Sequence, residues 1–180
     1  SDIEGYPLAW DNRYMEVALD SWMPHQFGEW FTVGDWNCRL HPAGHIPGAA
    51  MIEIKTPQAT ILWTGDLDTR DSPNAPRAMP VDCDILCMEG TYGGRTHPNR
   101  EEEEGRFVSR VQEVVSRGGT ALIPAFASGR GQDILRILHK EAPGLDVHYD
   151  GMGTRVTREW LGCPEFIRDA RAMESAYRWA

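Results

Sequence analysis

Apolar residues recur along the first half of the chain in patterns typical of strands. They alternate with polar residues over 36–41 and 49–55, which predicts two half-buried strands. Met51 shares one face of the second strand with Glu53 and Lys55. The runs 59–64 and 84–88 are mostly apolar, which predicts strands of a sheet covered on both faces.

Helical spacing occurs once near the N-terminus and then repeatedly in the second half, where shorter apolar runs separate the helices. We predict helices at 14–23, at 99–117, after a cap at Ser128, and over 153–180 with a break near 162–164. Between them, 120–126 and 145–149 are predicted strands, and the Pro-rich and Asp-rich segment 70–81 is a predicted loop.

This order of elements predicts an α/β fold in two parts. Strands dominate residues 1–95, whereas strands and helices alternate in a βαβ rhythm over 96–180. We place the boundary between the parts near residues 93–99, where glycine, proline and asparagine interrupt the pattern.

Composition excludes some classes of protein. The formal net charge is −9, so the chain is not a simple nucleic-acid coating protein, although metal ions can supply local positive charge in an acidic nuclease. No apolar run approaches the ~20 residues that span a bilayer, and we expect no secretory signal and a cytoplasmic location. The four cysteines form no C-x-x-C pair and are predicted to be reduced core thiols.

Three polar residues follow predicted strands, at the edge where α/β sheets bind ligands. His45 lies in a glycine-bearing loop after the first strand, and Asp66 and Glu89 each end an apolar run. Each could be an ordinary turn residue or cap. A buried carboxylate, however, needs a metal or a basic partner, because burying an unpaired charge is costly.

Five segments, in order, resemble motifs of the β-CASP metallo-β-lactamase nucleases. They are 41–50 (A-G-H-x-x-G-[SA]-A), 64–66 (T-G-D), 89–93 (E-[SG]-T-Y-G, with Gly90 where Ser is more usual), 101–107 (R-x-x-R-F) and 122–132 (I-P-A-F-A-x-G-R-x-Q). The resemblance runs from about residue 14 to about residue 170 and looks closest to archaeal RNA-processing members, which are related to the endonuclease subunit of the pre-mRNA cleavage and polyadenylation machinery.

The resemblance implies a partial metallo-β-lactamase αββα fold over 1–95, the C-terminal portion of the first lactamase half, and then the N-terminal portion of a β-CASP domain over 96–180. It also implies that His45 is a zinc ligand and that Asp66 bridges two zinc ions.

Two further residues gain roles from the resemblance. Glu89 would position a histidine for proton transfer to the leaving oxygen. Arg130 either holds a substrate phosphate or braces a carboxylate such as Glu89. We expect His41 and His97 to make structural hydrogen bonds.

Parts of the family pattern do not occur in this sequence. The H-x-H-x-D-H motif is expected upstream of Tyr14, and the later β-CASP motifs are expected beyond Ala180. We therefore interpret the chain as a central fragment with part of the site, which alone binds zinc weakly and cleaves poorly or not at all. The exposed edge of its half-sheet is expected to drive self-association.

The function that the resemblance implies for the intact protein is zinc-dependent hydrolysis of RNA phosphodiesters, in mRNA 3′-end processing, other RNA processing or decay. The implied substrate is single-stranded RNA, with DNA as the alternative, and endonuclease and exonuclease action both stay open. Alternatives are a non-catalytic scaffold of an RNA-processing complex, a DNA exonuclease of the same family, and a small-molecule hydrolase. The βαβ segment after Glu89 disfavours the last, because simple lactamase-fold hydrolases lack it.

Overall fold

A computed structural model describes residues 12–180, and its first half is built on one five-stranded sheet. Neighbouring strands from β1 to β4 are antiparallel, and β5 pairs with β4 in parallel. The strands are β1 (Trp30–Val33), β2 (Trp36–Pro42), β3 (Ala50–Lys55), β4 (Thr60–Trp63) and β5 (Ile85–Cys87). The N-terminal segment, for which we expect no secretory signal, lies outside the described residues.

Four of these strands confirm the predicted ones, and β1 was not predicted. It is short, and it forms by pairing with β2 across a tight turn in which Val33 and Trp36 are partners. Gly34 provides the positive φ of +58° that this turn uses, which a residue with a side chain rarely adopts.

The helical predictions also hold, with small shifts at the ends. Asn99 caps the longest helix by accepting a hydrogen bond from the backbone N–H of Glu102 at 3.2 Å, and acidic residues fill its first turn. The helices are α1 (Asn12–Asp20), α2 (Arg100–Ser116), α3 (Arg130–Glu141), α4 (Met152–Leu161) and α5 (Ala170–Trp179), with a 3-10 turn at Pro164–Phe166 where we expected the break. None of the described helices is long and apolar enough to cross a membrane.

The predictions of strands at 120–126 and 145–149 are wrong. No described strand lies beside either segment, so their backbones have no ladder to join. Leu122 and Phe126 point into solvent, with exposed fractions of 92% and 84%. The Phe126 carbonyl instead accepts a hydrogen bond from Gly131 at 3.2 Å.

The cap of α3 also differs from the prediction. The capping residue is Gly129, not Ser128, and its φ is +90°. A hydroxyl cap is unnecessary there, because the Gln132 side chain accepts a hydrogen bond from the Gly129 N–H at 2.8 Å.

The two faces of the sheet are covered unequally. On one face, the loop that follows β4 buries a cluster of Ala43, Met51, Leu62 and Ala78. On the other face, Ile52, Trp63 and Ile85 are exposed. The prediction that β4 and β5 are covered on both faces is therefore wrong for the described residues, because no described element packs over these side chains.

The buried face contains a charged group, Glu53, which is 3% exposed. Its carboxylate accepts hydrogen bonds from Arg39 at 2.8 and 3.0 Å and lies 2.7 Å from His41 Nε2. Burial alone would raise the pKa of Glu53, but the hydrogen bonds to His41 and Arg39 outweigh it and lower that pKa. His41 therefore has the structural hydrogen bond that the sequence predicts.

The cysteines only partly match their predicted role. Cys38 is buried in the sheet, whereas Cys163 is exposed at the end of α4. Cys163 is therefore not a core thiol, because the segment that follows α4 runs over the surface.

A polar junction joins the loop after β4 to the helices. Asn74 is buried and donates a hydrogen bond to Asp133 of α3 at 2.7 Å. Arg168 donates to the Ser72 carbonyl at 3.1 Å, and Arg136 donates to the Pro73 carbonyl. Burial raises the pKa of Asp133, because desolvation outweighs the attraction of nearby arginines.

The helices α2 and α3 share a second core, made by Val108, Val111, Ile137, Leu138 and Ala142. All strands thus precede residue 88 and this helical core follows residue 99. The division into two domains near 93–99 stays a prediction.

The exposed apolar face predicts self-association of this chain. β5 has no strand partner on its outer edge among the described residues, and Trp63 and Ile85 expose apolar surface next to it. We expect sedimentation velocity to show oligomers that grow with protein concentration. Ile85→Lys should shift the distribution towards monomer, whereas Val115→Lys, at an exposed apolar position of α2, should not. A monomer at all concentrations would contradict this expectation.

Candidate metal centre

Three strands run in the same direction and bring three loops to one edge of the sheet. β2 and β4 are both antiparallel to β3, and β5 is parallel to β4. The chain therefore leaves β2, β4 and β5 at the same edge. His45, Asp66 and Glu89 follow these three strands, respectively.

Backbone contacts fix the loop after β2 against the loop after β4. Ala43 is fully buried, and its carbonyl accepts a hydrogen bond from the Asp68 N–H at 2.9 Å. The next residue, Gly44, has a φ of +84°, and a Cβ atom there would lie 2.2 Å from the Asp68 carbonyl oxygen and 2.7 Å from the Ala78 nitrogen. The approach is possible only because residue 44 has no side chain.

This contact brings an imidazole and a carboxylate together. His45 Nε2 lies 3.9 Å from Asp66 Oδ2, and both side chains are open to solvent. The separation is too long for a hydrogen bond. Two donor atoms that each bind zinc at about 2.0–2.2 Å lie about 3–4 Å apart, so this pair fits two ligands of one zinc ion.

Glu89 is held by the backbone of the same edge. Its Oε1 accepts a hydrogen bond from the Leu67 N–H at 3.0 Å, and its Oε2 accepts one from the Thr91 N–H at 3.2 Å. Hydrogen bonding to Thr91 and Leu67 lowers the pKa of Glu89, and His45 adds a smaller favourable charge interaction. Glu89 is therefore an oriented, ionised carboxylate near neutral pH.

The described residues place no third ligand beside His45 and Asp66. Within residues 12–180, no group of three or more His, Cys, Asp and Glu side chains is placed to hold a metal ion. His97, for which we expected a structural hydrogen bond, instead contacts the ring of Tyr92, with 4.7 Å between ring centroids. The described residues thus fit part of a zinc site.

Arg130 lies at the first turn of α3, close to the loop that contains His45. A Cβ atom on the preceding Gly129 would be 3.0 Å from the Ile46 side chain. The guanidinium is mostly exposed and lies 3.7 Å from the Asp133 carboxylate. Arg130 can therefore brace a carboxylate, here that of Asp133. Because the guanidinium is exposed, it is also accessible to a substrate phosphate, which is the other predicted role.

Sequence reasoning assigned no role to Gln132, which the structure places at the centre of a hydrogen-bond network. It is fully buried, and its amide nitrogen donates to the Ala127 carbonyl at 2.8 Å and to the Thr157 hydroxyl at 3.0 Å. The available signal was helical spacing, because Gln132 lies one turn before the buried Leu135. Gln132 fixes the start of α3, and with it Arg130, relative to α4.

No family model matches this chain. Among known proteins, it is 36% identical over 178 residues to RNase aCSPSF2 of Saccharolobus solfataricus, an alignment that covers 97% of this chain and 36% of that protein. It is 33% identical over 183 residues to the probable RNase MJ4 of Methanocaldococcus jannaschii, covering 99% of this chain and 43% of that protein. It is 45% identical over 98 residues to cleavage and polyadenylation specificity factor 73 of Drosophila melanogaster, covering 53% of this chain and 14% of that protein. The chain thus spans less than half the length of these relatives.

The close approach at Gly44 predicts an unusual sensitivity to substitution. Gly44→Ala should lower the free energy of unfolding by more than about 2–3 kcal/mol, because it adds a backbone clash to the strain of a positive φ. Gly48→Ala is the matched control, since Gly48 has a φ of +81° in the same loop and open space around it. Urea unfolding measures both losses. Equal losses in the two variants would contradict the account.

Proposed function

Because this chain is homologous to the β-CASP ribonucleases over nearly its whole length, we propose that it carries part of the active site of a zinc-dependent enzyme that hydrolyses RNA phosphodiesters. The observation that carries the proposal is the meeting of His45, Asp66 and Glu89 at one edge of the sheet. An imidazole, a carboxylate and a second, oriented carboxylate match what such chemistry needs.

His45 and Asp66 are the proposed zinc ligands. Both side chains are exposed, so they can reach an ion without a buried partner being displaced. Zinc bound here would make hydroxide available near neutral pH and would offset charge on the phosphate. The loop contact at Gly44 keeps the two donors in place for this task.

Glu89 is the proposed positioning group for proton transfer. Its two backbone hydrogen bonds orient the carboxylate, and its lowered pKa keeps it ionised. An ionised, fixed carboxylate can hold a protonated imidazole towards a leaving oxygen. Arg130 is the proposed phosphate contact, because its guanidinium is exposed and it begins α3, whose capping residue Gly129 lies against Ile46 of the His45 loop.

We infer that this chain alone is a weak enzyme. One imidazole and one carboxylate cannot close a tetrahedral zinc site, and an intact two-zinc centre needs further donors. The parent protein would provide them together with the rest of the lactamase and β-CASP domains. Cytoplasmic location stays a prediction.

The alternatives are a non-catalytic scaffold and a DNA exonuclease of the same family. A scaffold without catalysis has no chemical need for His45, Asp66 and Glu89 together, so their joint presence favours an active parent. A DNA exonuclease of the same family would use the same three residues. Both archaeal relatives are named as ribonucleases, which favours RNA as the substrate.

Cleavage of labelled single-stranded RNA by concentrated protein with added zinc tests the proposal. We expect slow cleavage that a chelator stops, and at least about tenfold slower cleavage in His45→Ala and in Asp66→Asn, because each removes a ligand. His148→Ala is the control, since His148 is exposed and lies outside the site.

Three outcomes would count against this assignment. Cleavage that survives in His45→Ala would place the chemistry elsewhere. Cleavage of a matched DNA in preference to RNA would favour the exonuclease alternative. Cleavage that the chelator leaves unchanged would exclude a zinc-dependent reaction.

A further inference from the structure

The segment Gly90–Pro98, here the Tyr92 loop, begins immediately after Glu89 and is tied to it. The Glu89 carboxylate accepts a hydrogen bond from the Thr91 N–H at 3.2 Å. Within the loop, the Gly93 N–H donates to the Gly90 carbonyl at 2.9 Å, and the Arg95 N–H donates to the Tyr92 carbonyl at 3.0 Å. These turns fix the backbone at Tyr92, three residues after Glu89 of the candidate centre.

The loop presents two aromatic rings to solvent. Tyr92 is 57% exposed and belongs to neither buried hydrophobic cluster, and His97 is also exposed. Their rings meet edge-on at an angle of 61°. An exposed ring of this kind contributes little to the hydrophobic core, but it offers a flat surface on which a nucleobase can stack.

The charge of the loop is unusual for this chain. The protein has 27 acidic and 18 basic side chains, yet no Asp or Glu lies between Gly90 and Arg100. Arg95 is exposed and makes no ion pair with any described residue. Most arginines of the helices do pair with carboxylates, among them Arg100, Arg106, Arg110 and Arg136. The Arg95 guanidinium is therefore available to a phosphate.

We propose that the Tyr92 loop is a single-stranded RNA contact beside the candidate centre, in which the Tyr92 ring stacks on a nucleobase, His97 supports that ring edge-on, and Arg95 binds a neighbouring phosphate. The identity of the ligand as RNA rests on the proposed function. Stacking tolerates any base, because every base has a π face, so this contact holds the strand without selecting a sequence. Its place next to Glu89 puts the stacked nucleotide close to the phosphate that the centre would cleave.

Fluorescence anisotropy with a labelled RNA 12-mer tests this contact at fixed salt, because phosphate contacts are salt-dependent. The buffer contains a chelator, so that neither zinc nor cleavage contributes to the signal. We expect Tyr92→Leu to weaken binding about tenfold, since a base–aromatic stack contributes about 1–3 kcal/mol. Tyr92→Phe should bind like the unsubstituted protein, because stacking needs the ring and not the hydroxyl.

Matched controls separate this loop from general surface effects. Trp36→Leu removes another exposed aromatic ring, at the opposite end of β2 from the His45 loop. Arg158→Gln removes another exposed arginine without an ion pair to a described residue, on α4. Both should leave affinity within about twofold, whereas Arg95→Gln should weaken it several-fold, because it removes a charged phosphate contact.

An abasic 12-mer of equal length distinguishes stacking from charge. On that strand Tyr92→Leu should have no effect, whereas Arg95→Gln should keep its effect. Four results would overturn the proposal: no binding by the unsubstituted protein, equal loss in the controls, a Tyr92→Phe variant as weak as Tyr92→Leu, or a Tyr92 effect that persists on the abasic strand. Tyr92-dependent binding together with cleavage that survives in His45→Ala would refute only the proposed function. Cleavage that needs His45, with binding unaltered in Tyr92→Leu, would refute only this contact.

Discussion

The candidate centre depends on a single close approach between two backbone segments. The Ala43 carbonyl bonds to the Asp68 N–H, and Gly44 packs where a Cβ atom would overlap Asp68. Strand direction alone brings the loops after β2 and β4 to one edge, but it does not fix the distance between them. The backbone contact removes that freedom and sets the 3.9 Å between His45 and Asp66. The exposed donors are thus positioned by buried main chain, which costs less than burying the charges themselves.

The helical half is tied to this edge by polar contacts. The Asn74–Asp133 hydrogen bond anchors α3 to the loop after β4, and Gln132 anchors the start of α3 to α4. Gly129 then lies against Ile46, which places Arg130 beside the loop that contains His45. Asn74, Gln132 and Asp133 are buried and hydrogen-bonded, so the loss of any one of them would leave an unsatisfied partner. The same hydrogen-bond network therefore stabilises the fold and places the positively charged Arg130 near the candidate centre.

The positions of the helices and strands could be predicted from the sequence better than the burial and the pairing of their side chains. Alternation placed Met51 and Glu53 on one face of β3, but it could not reveal that this face is buried, because Glu53 is stabilised by Arg39 and His41 from the neighbouring strand. That pairing depends on register, which periodicity does not contain. The strand prediction at 120–126 is wrong for a related reason. An apolar run forms a strand only when another strand lies beside it, and none of the described strands does. The three site residues could be proposed because motif order carries information that local pattern lacks.

Zinc affinity of the purified, metal-free chain tests the central claim most directly. Titration against a chromogenic chelator should show binding weaker than about 1 μM, because two donors provide far less than the free energy of a closed site. That weak binding should be lost in both His45→Ala and Asp66→Asn. About two tightly held zinc ions per chain, or affinity that survives both substitutions, would show that other residues form the metal site and would contradict the account.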